Sequence, residues 1–292
     1  MSNFRKVCIF NESFGLPHAT TPQTNVLQEN KHLSKLRVDL CVEEAEELTE
    51  AINTKDFTEV IDALTDELYV AYGAGSSFGI DLDNLFRIKV FCELSDSPHA
   101  SKEVLDIRPS DTTMNDGEPT RTNFKLLTHV LKKTETYFTE KRVSTINSDD
   151  IFSDKFNTEE EYENLKIMVQ ELHQNLKRTV TQLEKNKKMS DFEGVGTNLV
   201  DILYHTYKLG IFLGIDLDAS FDIVHKSNMS KLCISEQEAE DTVNNYKLND
   251  KRYNSPEYRK SENDKYWVVF NRETGKILKS INYTQTNFSE LF

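Results

Sequence analysis

Seven of the carboxylates in the stretch RVDLCVEEAEELTEAINTKDFTEVIDALTDELY, residues 37–69, stand out by their spacing: Glu43, Glu44, Glu47, Glu50, Glu59, Asp62 and Asp66. Acids recurring at three- and four-residue spacing have two uses. They can line a solvated helix face, or they can converge on a hard divalent cation, for which an all-oxygen ligand set favours Mg²⁺ or Mn²⁺. E-E-x-x-E alone is common on exposed helices. Its pairing with E-x-x-D, eleven residues intervening, is the more specific signal.

The elements that must carry these acids are readable from periodicity. Cys41, Ala45, Leu48 and Ile52 form one apolar stripe, and Glu43, Glu47 and Glu50 fall on the opposite side. Followed backwards, that second track becomes Leu33, Leu36 and Leu40, an apolar seam that turns acidic partway along. On the next helix Val60, Leu64, Leu68 and Ala71 form the stripe, and Glu59, Asp62, Asp66, Tyr69 and Gly73 the other track. With the turn in NTKD, a rise of about 1.5 Å per residue sets Glu47 level with Asp62, Glu50 with Glu59 and Glu43 with Asp66. Carboxylates so close repel one another unless a cation neutralises them.

An internal duplication supplies a control. DFTEVIDALTDELYVAYGAGSSFGIDLDNLF (56–86) aligns without a gap, 135 residues later, to DFEGVGTNLVDILYHTYKLGIFLGIDLDASF (191–221). The Leu and Tyr scaffold is shared, but Gly194 and Thr197 stand where the first copy has Glu59 and Asp62. The fold does not require these acids, so their presence in one copy points to function. In each copy GIDLD is expected to end one helix at its Gly and to cap the next with Asp83 or Asp218.

All six prolines fall outside residues 23–97 and 120–255, so both blocks read as mostly helical. The expected fold is all-α, a helical bundle of two related repeats with a short C-terminal β-hairpin. The first repeat spans 1–95 and carries the acids; 96–158 is a linker or insertion rich in Pro, Ser, Thr, Asp and Asn; 159–232 is the second, degenerate repeat; and 233–292 is an extension. Within that extension YWVVF and KILKSINY flank the turn NRETG, placing the hairpin at about 266–283.

The net charge of −14 over 292 residues argues against nucleic acid or anionic lipid as partner, because phosphate binding without a metal needs clustered Lys and Arg. A polyanionic substrate would have to arrive with a metal ion. The four cysteines, Cys8, Cys41, Cys92 and Cys233, form no C-x-x-C pair and read as reduced packing residues. No membrane span or signal peptide is legible, and a soluble protein of the cytoplasm, with the nucleus as alternative, is expected.

With these residues in hand the chain resembles the all-α nucleoside triphosphate pyrophosphohydrolases, which include MazG and phosphoribosyl-ATP pyrophosphohydrolase. Their motif is matched by Glu43, Glu44 and Glu47, then Glu59 and Asp62. FNESFGLP before the first helix, FDIVHKSNMSKL, and the tail YWVVFNRETGKILKSINY extend the likeness to a MazG-like subgroup. The resemblance implies that the five acids hold Mg²⁺, with Mn²⁺ as the alternative. It also implies cleavage of an NTP or dNTP between the α and β phosphates, with Glu44 or Glu47 orienting or deprotonating the water. One departure stands out. Single-copy relatives carry the acids and H-x-S-N-M-S-K together, whereas here the acids lie in copy one and His225, Asn228 and Lys231 in copy two. Either the halves combine into one composite site, or the chain is a non-catalytic remnant.

His225, Asn228 and Lys231 share a helix face; Lys231 and Asn228 are candidates to grip phosphates or base, against the alternative of a solvated C-terminal charge. Phe10 and Phe14 are candidates to stack on a nucleobase or to fill core. Tyr69, Tyr72, Tyr204 and Tyr207 recur in both copies and are assigned to packing, as is His205, while Lys187 and Lys188 read as solvated. A di-iron carboxylate bundle would want E-x-x-H, and Glu171-Leu172-His173 has the wrong spacing. The leading function is therefore nucleotide pyrophosphohydrolysis, serving nucleotide-pool sanitation. The alternative is an inactive helical binding or regulatory module. A duplicated chain fits a monomer with pseudo-dimeric repeats as well as a homodimer.

Overall fold

The computed structural model describes residues 1–96, 123–134, 167, 170–179, 181, 189–250 and 252–291. The rest of the expected linker, the start of the expected second repeat at 159–166, and Lys187 and Lys188 lie outside the described residues.

Helix α1 (Asn3–Phe14) opens on Ser2, whose hydroxyl accepts from the Arg5 amide, and closes on Gly15 in the left-handed region. FNESFGLP is thus the end of the first helix and not a segment ahead of it. After the single turn α2 (Val26–Glu29), α3 (Lys31–Thr54) and α4 (Phe57–Phe78) form the expected antiparallel hairpin. Its turn lies in NTKD, where Lys55 takes a left-handed φ of 59° and Asp56 caps α4 by accepting from the Glu59 amide. The stripes Cys41, Ala45, Leu48, Ile52 and Val60, Leu64, Leu68, Ala71 are buried against the core. The apolar seam leading into the acids is broken, since Leu33 is buried but Leu36 is exposed.

Among the described residues the further helices with defined bounds are α5 (Leu82–Asp96), α6 (Asn123–Thr134), α7 (Met189–Leu213), α8 (Leu217–Met229) and α9 (Glu236–Asn249), and residues 170–179 are helical as well. Helix α6 falls inside the expected linker. Its buried Phe124, Leu126, Leu127, Val130 and Leu131 form one apolar face, too short to stand out beside the polar run before it. In GIDLD the glycines behave as expected, Gly79 and Gly214 being left-handed. The caps do not: Asp81 accepts from the Asn84 amide, and Asp216 from those of Asp218 and Ala219. Asp83 and Asp218 are first-turn residues with another task.

That task concerns how the copies fit together. Helix α8 packs against α4 of the first copy, and α5 packs against α7 of the second, so the third helix of each repeat is exchanged. Helix α1 lies on α4 and α8, and α6 lies on α5 and α7. At the centre the hydroxyls of Tyr72 and Tyr207 bond at 2.9 Å. The side-chain amide of Asn3 donates to Tyr207 (3.3 Å) and Asp218 (3.1 Å), and that of Asn123 donates to Tyr72 (3.0 Å) and Asp83 (2.8 Å). Each repeat thus lends an asparagine to the other's tyrosine. Asn123→Ala leaves a buried hydroxyl and carboxyl short of a donor, and should cost about 1–3 kcal/mol in urea unfolding. A midpoint unchanged from wild type would show that this clamp carries no stability.

The C-terminal extension packs a smaller core of Cys233, Ala239, Val243, Val269 and Leu278. Strand β1 (Pro256–Lys260) pairs antiparallel with β2 (Trp267–Asn271). The expected hairpin around NRETG is present as the bridge Phe270 to Ile277, with Gly275 left-handed, but the longer ladder is to PEYRK, which Pro256 disguises. All four cysteines are free. No helix among the described residues is long and apolar enough to cross a membrane.

Candidate active site

The facing sides of α3 and α4 bring the acids together. Glu43, Glu47, Glu50 and Glu59 are exposed, while Glu44, Asp62 and Asp66 are half-buried. Burial, then the charges of Asp66, Glu47, Glu43 and Asp62, push the Glu44 carboxyl up to about 8. Asp66 is raised to about 7 by burial and by Asp62, with Lys231 opposing, and Asp62 is raised by burial, Glu59 and Glu47. Glu47 therefore acts on Asp62 as the expected register requires. Glu44, beside the Glu43 expected to lie level with Asp66, feels the Asp66 charge, and its Oε2 is buried without a hydrogen-bond partner. Behind it Glu67 is fully buried with both carboxylate oxygens unpartnered and its pKa raised by burial and by Glu44.

A carboxyl whose pKa is raised on folding stabilises the fold while protonated and loses that contribution as pH rises through the folded value. Metal-free protein should therefore melt at falling temperature as pH rises from the ordinary carboxylate range to about 7 for Asp66 and about 8 for Glu44, and level off above that. A divalent cation should cancel the fall and release protons on binding, read by calorimetry in buffers of different ionisation enthalpy. A melting temperature that is level across this range in EDTA would mean the acids do not repel one another as placed.

Helix α8 supplies the opposite wall. His225 Nδ1 lies 3.1 Å from the Tyr69 hydroxyl, which also hydrogen-bonds Asn228. Lys231 Nζ donates to Asn228 Oδ1 at 2.6 Å. Burial lowers the Lys231 pKa, while Tyr283 and Asp66 raise it, so its ammonium stands within the field of the acid track. Burial and then the Lys6 charge push His225 down to about 4, which leaves a neutral ring that orients Tyr69 rather than a cation for phosphate. Tyr69, assigned from sequence to packing, is thus part of this cluster.

Phe14 does not join it. Its ring is fully buried with Leu232 and Val268, leaving no open face for a base, and Phe10 packs on it at 4.4 Å and on Tyr69 at 5.4 Å. Two further residues do join: a cavity of about 570 Å³ is lined by Glu59 and Asp62 together with Lys279 and Tyr283 of the tail. Their sequence, KILKSINY, reads as strand, and nothing in its spacing signals the acids it covers.

In the second copy the related cavity, about 620 Å³, is lined by Phe192, Gly196, Thr197 and Val200, and Asp201 pairs with Lys89 at 2.8 Å. Asp81 and Glu193 also line it, but Thr197 stands where the first copy has Asp62, and Asp201, the counterpart of Asp66, is paired.

Among the described residues no three His, Cys, Asp or Glu side chains form a ready-made metal cage. Mg²⁺ is bound through carboxylate oxygens together with water and substrate phosphate. An oxygen-only donor set, mutual repulsion, and an unpartnered buried Oε2 on Glu44 all fit such an ion.

The profile of the phosphoribosyl-ATP pyrophosphohydrolase family matches residues 7–88 and again 124–228, the second match taking in α6. Over 291 residues the chain is 33% identical to an uncharacterized protein of Acanthamoeba polyphaga mimivirus, covering 99% of this chain and 95% of that one. No solved structure matches. Two matched segments, one per repeat and together more than half the chain, fit the fold's two exchanged halves, and the chain belongs to the phosphoribosyl-ATP pyrophosphohydrolase family.

Proposed function

We propose that the protein is a Mg²⁺-dependent nucleoside triphosphate pyrophosphohydrolase that converts an NTP or dNTP to the monophosphate and pyrophosphate, in the service of nucleotide-pool sanitation. The observation that carries this reading is the composite cleft, with the acids of α3 and α4 in the field of Lys231, which follows the end of α8 and is tied to Asn228 of that helix. Glu43, Glu44, Glu47, Glu59 and Asp62 are the residues that would hold the metal. Bound there, Mg²⁺ would neutralise phosphate charge and so ease attack at phosphorus.

The chain's own groups do the rest. Glu44 or Glu47 orients a water toward the α-phosphorus and takes its proton as the new P–O bond forms. The bond from the α-phosphorus to the bridging oxygen breaks, and that oxygen leaves with pyrophosphate. Lys231, steadied by Asn228, meets the charge that builds on the phosphates, and Tyr69, oriented by His225, holds Asn228 in turn. All groups come from one chain, so a monomer suffices on this reading.

A panel of NTPs and dNTPs with Mg²⁺ or Mn²⁺, assayed for pyrophosphate, should reveal at least one substrate. Lys231→Ala should then lower kcat/KM by about 10- to 100-fold while leaving Mg²⁺ binding intact. Silence across the whole panel would sink the reading and leave an inactive helical binding module.

A further inference from the structure

After β2 the chain runs back to α8 and crosses the acid track, and it is fastened at both ends of that crossing. The Ser280 hydroxyl donates to the Ser230 carbonyl at 3.1 Å, the Thr284 amide donates to the Ser230 hydroxyl at 2.9 Å, and the Ser227 hydroxyl donates to that of Tyr283 at 3.2 Å. Beyond the crossing Phe288 is buried in the main core and Leu291 packs on it. These ties fall on the H-x-S-N-M-S-K segment itself, so the tail is positioned by the same helix end that presents Lys231.

Between the fastenings, Lys279 Nζ sits 4.1 Å from the centre of the Tyr283 ring. A ring face in this position attracts the ammonium and restricts where it points. Lys279 makes no ion pair among the described residues, although Glu59 and Asp62 lie across the same cavity. Its charge is felt at Lys231, as is the Tyr283 hydroxyl. Two lysines thus approach each other on one wall while carboxylates crowd the other, and each wall is charged against itself. A ligand that bears both signs satisfies both walls at once: cation toward the carboxylates, phosphate oxygens toward the lysines. Gln285 and Asn287 add amide groups to the lysine side.

We propose that Lys279 and Tyr283 are substrate-binding residues, the tail forming the wall that grips the terminal phosphates, with Lys279 on the departing pyrophosphate. This rests on the pyrophosphohydrolase reading and adds a third element, outside both repeats, to the site. When the bond to the α-phosphorus breaks, the charge left on pyrophosphate rises, and Lys279 together with Lys231 receives it. Tyr283 serves as the platform for Lys279 and offers its hydroxyl to a phosphate oxygen.

The probe is inorganic pyrophosphate with Mg²⁺, titrated calorimetrically into the full-length wild type and the variants Lys279→Ala, Lys279→Arg and Tyr283→Phe, with Mg²⁺ alone titrated in parallel. Lys279→Ala should weaken pyrophosphate binding by about tenfold or more, with Mg²⁺ affinity and melting temperature unchanged, and Lys279→Arg should restore most of the loss. Tyr283→Phe, which keeps the ring, should lose only a few-fold. Wild-type binding that Lys279→Ala leaves unaltered overturns the inference and spares the functional reading. If the wild type neither binds pyrophosphate nor hydrolyses any nucleotide, both fall together.

Discussion

Asp62→Asn should abolish metal-dependent hydrolysis, by at least about a hundredfold in kcat, and leave helical circular dichroism unchanged. The substitution removes one charge at almost constant volume from the group acted on by both Glu59 and Glu47. The fold has shown that it tolerates the loss, because Thr197 occupies the matching position of α7 in the same chain. In EDTA the variant should melt higher than wild type, since Asp62 is among the charges raising Glu44 and Asp66. Glu47→Gln should behave alike. Retained turnover in either variant would refute the metal-site reading. A lower melting temperature in EDTA would instead assign the acids a structural ion-pair role.

Phe221→Ala should have the largest effect on stability. The ring is fully buried, stacks on Tyr69 at 5.2 Å and meets Tyr72 edge-on at 6.1 Å, so it is where α8 docks on the first copy's α4. Deleting it opens a cavity between repeats and should cost about 3–5 kcal/mol in denaturant unfolding. Because α8 carries Asn228 and leads into Lys231, kcat/KM should fall further than the lost folded fraction explains. A cost below about 1 kcal/mol would mean that the docking of α8 rests elsewhere.

Much of this was legible in the chain. The acids and their paired spacing mark the site, the gapless repeat of 56–86 marks the duplication, and the apolar stripes of α3 and α4 fix the hairpin and its turn. What periodicity states is which face of a helix seeks cover, not which neighbour supplies it. The exchange of α5 and α8 was therefore hidden, although the separation of acids from H-x-S-N-M-S-K hinted that the halves belong together. Asn3 and Asn123 escaped notice because they are offset by 120 residues while the helices they serve are offset by 135, so a gapless comparison could not join them. The caps of GIDLD went to the first aspartate, the second being needed by those asparagines. Lys279 lies in a run whose β-like composition says nothing of the carboxylates it crosses.

The exchanged helices carry a further meaning for symmetry. Two identical chains trading a helix about a two-fold axis must build two identical sites, and any substitution is written into both. Tethered in one chain, the halves are related but no longer equivalent. Thr197 can stand in one where Asp62 stands in the other, and Lys89 can neutralise Asp201 without a matching lysine intruding between Glu44 and Asp66. A strict dimer would have to carry Asp62 in both halves or Thr197 in both. This chain holds one of each.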